Sequence, residues 1–190
     1  MTNCSNLTCV GGKCSEDQSK IVCGIQQLQE KGCIIYSIGG NNAWEFELGL
    51  LKMTPCDVHT FDCTGSRSRF QVPQHPRLHF HHVCLATDFK PKPSQCYGKA
   101  VCGEMWTLQQ MQQRLNHSRI DLLKMDIEGW EWPLIQSWPD FVSSPQEAEQ
   151  AILPMQILVE VSTGNMPEIR TGSGVSFLSI SSNPCLCRYQ

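Results

Sequence analysis

Residues 120–131 read Ile-Asp-Leu-Leu-Lys-Met-Asp-Ile-Glu-Gly-Trp-Glu, an apolar run that gives way abruptly to carboxylates and a glycine. A run of strand length that ends in Asp126 and Glu128 fits a strand buried on both faces, its tip opening into a turn. Burying a lone carboxylate is costly, so an acid at such a tip needs a partner or a ligand. The segment sets two expectations: a parallel sheet, and a site beyond its carboxyl edge.

The pattern recurs outward from this segment. Cys33–Ile38 (CIIYSI) runs into Gly39-Gly40-Asn41-Asn42 and a helix-like stretch from Ala43 to Lys52. Asp57–Phe61 (DVHTF) ends at Asp62, Arg77–Leu85 (RLHFHHVCL) ends near Asp88, and Met155–Val161 (MQILVEV) is a further strand. The spacing of Ile21, Val22, Ile25 and Leu28 predicts a helix over 19–31, and TLQQMQQRLN predicts another over 107–116. Strands alternating with helices argue for an α/β fold with parallel strands. Residues 1–18 read as a cysteine-bearing, loop-rich lead-in, and 19–190 as one domain. In such sheets ligands bind beyond the carboxyl ends of the strands, where strand order reverses. Gly39-Gly40 would let backbone approach a ligand closely. Asp62 follows at roughly the 20-residue offset at which an acid meets ribose hydroxyls in dinucleotide-type folds.

Composition narrows the function. The chain has 190 residues, 41% of them hydrophobic and 17% charged, which is a globular composition long enough for one core. A net charge of -3 lacks the basic surface that phosphate backbones require, so no nucleic-acid partner is expected. Its strongest apolar run, Cys33–Ile38, is far short of the ~18 residues of a membrane helix, so no span is expected in this chain. Twelve cysteines without a Cys-x-x-Cys pair, together with sequons at Asn3, Asn6 and Asn116, point to the secretory lumen (Golgi or ER) or to secretion, with disulfides and glycosylation. No basic and apolar leader follows Met1, so the expectation is a fragment or a variant start. His79 and His81 share a strand face, and Cys4, Cys9, Cys14 and Cys23 are loosely spaced; neither group makes a ligand set, so no metal is expected.

YSIGGNNAWEFE, the strand ending TFD, and LLKMDIEGWEW together resemble the FkbM-type class I methyltransferases, in particular the branch of the eukaryotic methyltransferase-like 24 proteins. The resemblance covers about Ile21 to Ser162, and its most specific part is Lys124-x-Asp126-x-Glu128-Gly129-x-Glu131. It implies a Rossmann-like sheet of order 3-2-1-4-5, counting these five strands in chain order, with S-adenosylmethionine as cofactor. It further implies methylation of an oxygen on a small-molecule or glycan acceptor.

By position, the turn Ser37–Asn42, with Ser37, Gly39, Gly40 and Asn41, would pass under the methionine part of the cofactor. Asp62 would hold the ribose hydroxyls, Asp88 would lie beside the adenine, and Asp126 would sit between cofactor and acceptor. Asp126 is the candidate for positioning or base work, with Glu128 second. Two departures stand out: Ser37 replaces an acid that many members use toward the cofactor's amino group, and Asn41 replaces a glycine. The region beyond the fifth strand also resembles a compressed version of the family's usual helix and antiparallel strands, so the C-terminal edge is expected to be abridged. Two rival readings stay open: a module that keeps the fold without turnover, and a disulfide-held secreted interaction domain.

Overall fold

A computed structural model describes residues 4, 6–14, 16, 18–86, 103–127, 131, 134, 154–160 and 185–186. In chain order the elements are β1 (Leu7–Val10), β2 (Lys20–Cys23), β3 (Ile34–Ile38), α1 (Glu45–Met53), β4 (Asp57–Phe61) and β5 (Leu78–His81). They continue with β6 (Val83–Leu85), β7 (Glu104–Trp106), α2 (Leu108–Leu115), β8 (Leu122–Met125), β9 (Gln156–Val159) and β10 (Cys185–Leu186). The central sheet has the order β5-β4-β3-β8-β9-β10. Every pairing from β5 to β9 is parallel, and β10 closes the far edge antiparallel to β9. This is the expected α/β, Rossmann-like order, with the chain reversing direction across the sheet between β3 and β8.

Both faces of the sheet are covered, which is why its strands read as continuous apolar runs rather than alternating ones. Ile35, Val58 and Leu122 face a core shared with Phe46, Leu50 and Leu51 of α1 and with Val10 and Val22 of the N-terminal hairpin. Tyr36, Ile38, Phe61, Leu123 and Met125 face the other core, with Met111 of α2 and Ile120. Thr107 caps α2 by accepting from the Gln110 amide, while the Gln110 side chain reaches back to the Thr107 amide. The guanidinium of Arg77 closes the other end of α1, donating to the carbonyls of Leu51 (2.7 Å), Thr54 (2.9 Å) and Cys56 (2.6 Å). Arg77→Ala leaves these carbonyls without their charged donor and should cost about 2–3 kcal/mol in chemical denaturation; an unchanged midpoint would show that water replaces the cap.

The helix expected over 19–31 is not formed. Lys20–Cys23 instead pairs antiparallel with Leu7–Val10, so the lead-in contains a strand. The physical reason lies in contacts distant in sequence. Cys4 and Cys23 stand at disulfide distance, with Cα atoms 5.9 Å apart. The Gln156 amide bonds both backbone groups of Cys23, accepting from its N–H (3.2 Å) and donating to its carbonyl (2.7 Å). Gly24 then takes a left-handed conformation (φ 57) and a single 3-10 turn, Ile25–Gln27, follows. Val22, Ile25 and Leu28 are still buried together, so their spacing reported burial and not a helix. Gly11 and Gly49 let the hairpin sit against α1, since a Cβ at Gly49 would stand 2.8 Å from the Gly11 amide.

The expected third strand, Arg77–Leu85, breaks at His82. β5 stays in the central sheet, while β6 leaves it to pair in parallel with β7. Three further cysteine pairs lie at disulfide distance: Cys9–Cys14, Cys33–Cys56 and Cys63–Cys84, with Cα separations of 5.5, 4.6 and 5.0 Å. The helix expected around Trp132–Trp138, the loop over 90–102 and a strand expected at Val175–Ile180 lie outside the described residues, apart from Leu134. Among the described residues, no helix is long and apolar enough to cross a membrane.

His79 and His81 are packed rather than solvated. With His59 and His117 they form a cluster beneath the end of α2: His59 Nδ1 lies 3.0 Å from His81 Nε2, and the His59 ring lies 4.6 Å from His79 and 4.5 Å from His117. Tyr36 Oη contacts His117 Nδ1 at 2.7 Å, and Asp57 Oδ1 lies 3.3 Å from His79. Burial, reinforced by the neighbouring rings, lowers His59 to about 3 and His81 to about 4, and burial lowers His117 as well. The unfolded chain therefore binds more protons than the native one below about pH 6.5. Stability should be complete above that pH and fall as pH drops. Urea unfolding at pH 5 should show a loss of about 3 kcal/mol relative to pH 7.5, shared about equally by His59 and His81, both still neutral in the native state at that pH. A flat profile over that range would contradict the neutral, packed cluster.

Candidate active site

Strand register brings the candidate residues to one line. Ile38 is level with Phe61 on one side and Met125 on the other, so Gly39, Asp62 and Asp126 are the next residues at three adjacent tips. The ladder continues one step past the strands: the Gly39 amide donates to Phe61 (2.9 Å), the Asp126 amide to Ile38 (3.0 Å), and the Asp62 amide to His81 (3.2 Å). Beyond these tips lies a cavity of about 880 Å³, walled by 38–43, 61–65, 83–86 and 124–127 except Met125. Lys20, Glu47, Met105 and Leu134 also reach it.

The turn after β3 needs its first glycine. Gly39 has φ 77, and a Cβ there would run into the Asp126 carbonyl. Gly40 is different, because a Cβ would meet nothing nearer than 3.5 Å; its bareness enlarges the cavity and is not required by the turn. Asn41 and Asn42 follow at φ 44 and 68, left-handed angles that asparagine tolerates. Their side chains are put to use: Arg69 donates to Asn41 Oδ1 (2.7 Å), and the Gln71 amide (2.7 Å) and the Trp44 indole (3.1 Å) donate to Asn42 Oδ1.

Asp62 is buried at the tip of β4. Its Oδ2 accepts from the Asn41 amide and its Oδ1 from the Thr64 amide, both at 2.8 Å. Each carboxylate oxygen has a second lone pair, so two acceptors remain for vicinal hydroxyls. The adjoining Cys63 pairs with Cys84 of β6, joining the two walls of the cavity that flank Asp62.

At the tip of β8 the carboxylate lies in a set of charges. Asp126 Oδ2 is 3.5 Å from Lys124 Nζ and 3.8 Å from Lys20 Nζ, and Lys20 also pairs with Glu160 at 2.6 Å. Lys124 Nζ donates to the Gly39 carbonyl (2.6 Å), so one buried ammonium ties the glycine turn to the acid. Lys20 comes from the N-terminal hairpin, a contribution that the helical reading of 19–31 could not suggest. Glu131 is fully buried, and its Oε1 accepts from the Ile127 amide at 2.7 Å.

Ser37 is also fully buried, and its hydroxyl donates at 2.5 Å to Oε1 of Glu47 in the first turn of α1. Burial pushes the Glu47 carboxyl up, while Lys124 and the Ser37 hydroxyl pull it back. Glu47 was not singled out from the sequence, although a signal exists. It precedes the buried Leu50 and Leu51 by three and four residues, which puts an acid on the apolar stripe of α1. Asp88 and Glu128 lie outside the described residues. Among the described residues no cluster of His, Cys, Asp or Glu is placed to hold a metal ion.

A family model described as a methyltransferase domain matches residues 2–179. Probable methyltransferase-like protein 24 of Homo sapiens is 28% identical over 126 residues, which is 65% of this chain and 32% of that protein. Probable methyltransferase-like protein 24 of Rattus norvegicus is 32% identical over 113 residues, which is 58% of this chain and 30% of that protein. The match thus spans about a third of the length of these relatives. No solved structure matches the chain. With the family model spanning nearly all of a sheet whose strand order is that of a Rossmann-like α/β fold, the chain belongs to the methyltransferase-domain family.

Proposed function

We propose that this chain binds S-adenosylmethionine in the cavity beyond β3, β4 and β8 and transfers its methyl group to a hydroxyl oxygen of a small molecule or glycan. The observation that carries the reading is the alignment of Gly39, Asp62 and Asp126 by strand register on one cavity at the point where strand order reverses. The residues present suit such a nucleoside. Asp62 would hold the ribose hydroxyls through its remaining lone pairs, and the turn 37–42 would run beneath the amino-acid part, with Gly40 leaving room. The chemistry a bound S-adenosylmethionine supplies is a methyl group already activated on a sulfonium sulfur. What the protein must add is alignment, for which proximity can supply about 7–11 kcal/mol. Asp126, steadied by Lys20 and Lys124, would orient the acceptor hydroxyl or take its proton.

Four cysteine pairs at disulfide distance fit an oxidising compartment. The exposed sequon asparagines Asn6 and Asn116 fit the secretory lumen in particular. The test is transfer of labelled methyl from S-adenosylmethionine into fractionated secretory-pathway extract by the oxidised chain. Label should appear in a small-molecule or glycan fraction. Intact cofactor binding with no labelled fraction would instead mark a module that keeps the fold without turnover.

A further inference from the structure

We propose that Glu47 is the residue that receives the α-ammonium group of the cofactor's methionine moiety, the role left open by Ser37. The assignment rests on the reading of the cavity as an S-adenosylmethionine site. Glu47 is 1% exposed, yet it reaches the cavity wall. Its Oε1 is held by the Ser37 hydroxyl, while its Oε2 has no hydrogen-bond partner among the described residues. A buried carboxylate oxygen left unmatched is costly and calls for a donor. A primary ammonium provides three donors and the opposite charge.

The surroundings favour a ligand in that part. Among the described residues Lys124 is a cation that acts on Glu47, but its Nζ already donates to the Gly39 carbonyl and pairs with Asp126. Glu45 of the same helix repels Glu47. A Cβ at Gly40 would stand in ordinary van der Waals contact with Oε1, at 4.0 Å, so this glycine of the turn borders the carboxyl at the cavity wall. Helix position 47 thus supplies the acid that strand position 37 lacks, and the small hydroxyl at 37 holds it.

Calorimetry of the oxidised 190-residue chain with two probes tests this: S-adenosylhomocysteine, and its analogue lacking only the α-amino group. The native chain should prefer the amino-bearing probe by about 30-fold, the value of a charge-assisted hydrogen bond. Glu47→Gln should bind both probes within about twofold of each other, and Ser37→Ala should reduce the preference by about threefold. Ser37→Ala keeps the test available should Glu47→Gln fail to fold. A variant that retains the full native preference overturns the assignment alone. A native chain that binds neither probe overturns the cofactor reading and the assignment with it.

Discussion

Asp62→Ala weakens S-adenosylmethionine binding by at least about 100-fold, as titration calorimetry on the folded variant should show. Two hydrogen bonds from ribose hydroxyls to one carboxylate are each worth about 1.5–3 kcal/mol when the acceptor is charged and buried. Their joint loss exceeds what the rest of the cavity can offset. The substitution also frees the amides of Asn41 and Thr64, so the variant should melt a few degrees lower. Asp62→Asn separates the two effects. It retains an acceptor for one amide, and should lose most of the binding with less of the stability. Unaltered affinity in both variants would mean that the ribose is not held at the tip of β4.

The second large effect is on turnover. Asp126→Asn should lower single-turnover methyl transfer by about 10²–10⁴-fold, the usual range for losing a positioned acid–base group. Cofactor affinity should change by no more than about threefold, because the amide keeps the size of the side chain and the adjoining turn is anchored by the Asp126 backbone amide on Ile38. Lys20 and Lys124 would each lose one counter-ion, while Lys20 keeps Glu160 and Lys124 keeps the Gly39 carbonyl. A rate within threefold of the native protein would remove Asp126 from the chemistry. In that case the ion pairs at its Oδ2 are purely structural.

The sheet was legible because burial on both faces writes itself into short apolar runs, and because three of those runs end directly in Gly39, Asp62 and Asp126. Strand order came with the family resemblance carried by YSIGGNNAWEFE and LLKMDIEGWEW, because strand spacing alone does not fix which strands adjoin. Two features could not be read that way. Lys20–Cys23 looked helical because Val22, Ile25 and Leu28 fall on one side; the strand is imposed by Leu7–Val10, Cys4 and Gln156, the last more than a hundred residues away in sequence. His82 gave no local sign of a break, which arises where its ring meets the Gly65 carbonyl and its own carbonyl packs on Gly103. In the site, Gly39, Asp62 and Asp126 could be found because each ends a strand. Glu47 was missed: its place on the apolar stripe of α1 marked it as buried, but the bond from Ser37 crosses elements and no spacing encodes it.

The measurement that bears most directly on the account is a calorimetric titration of the oxidised chain with S-adenosylmethionine. The account predicts a single site with a dissociation constant on the order of 1–50 μM, about −6 to −8 kcal/mol. A folded chain that takes up no S-adenosylmethionine at millimolar concentration would contradict it.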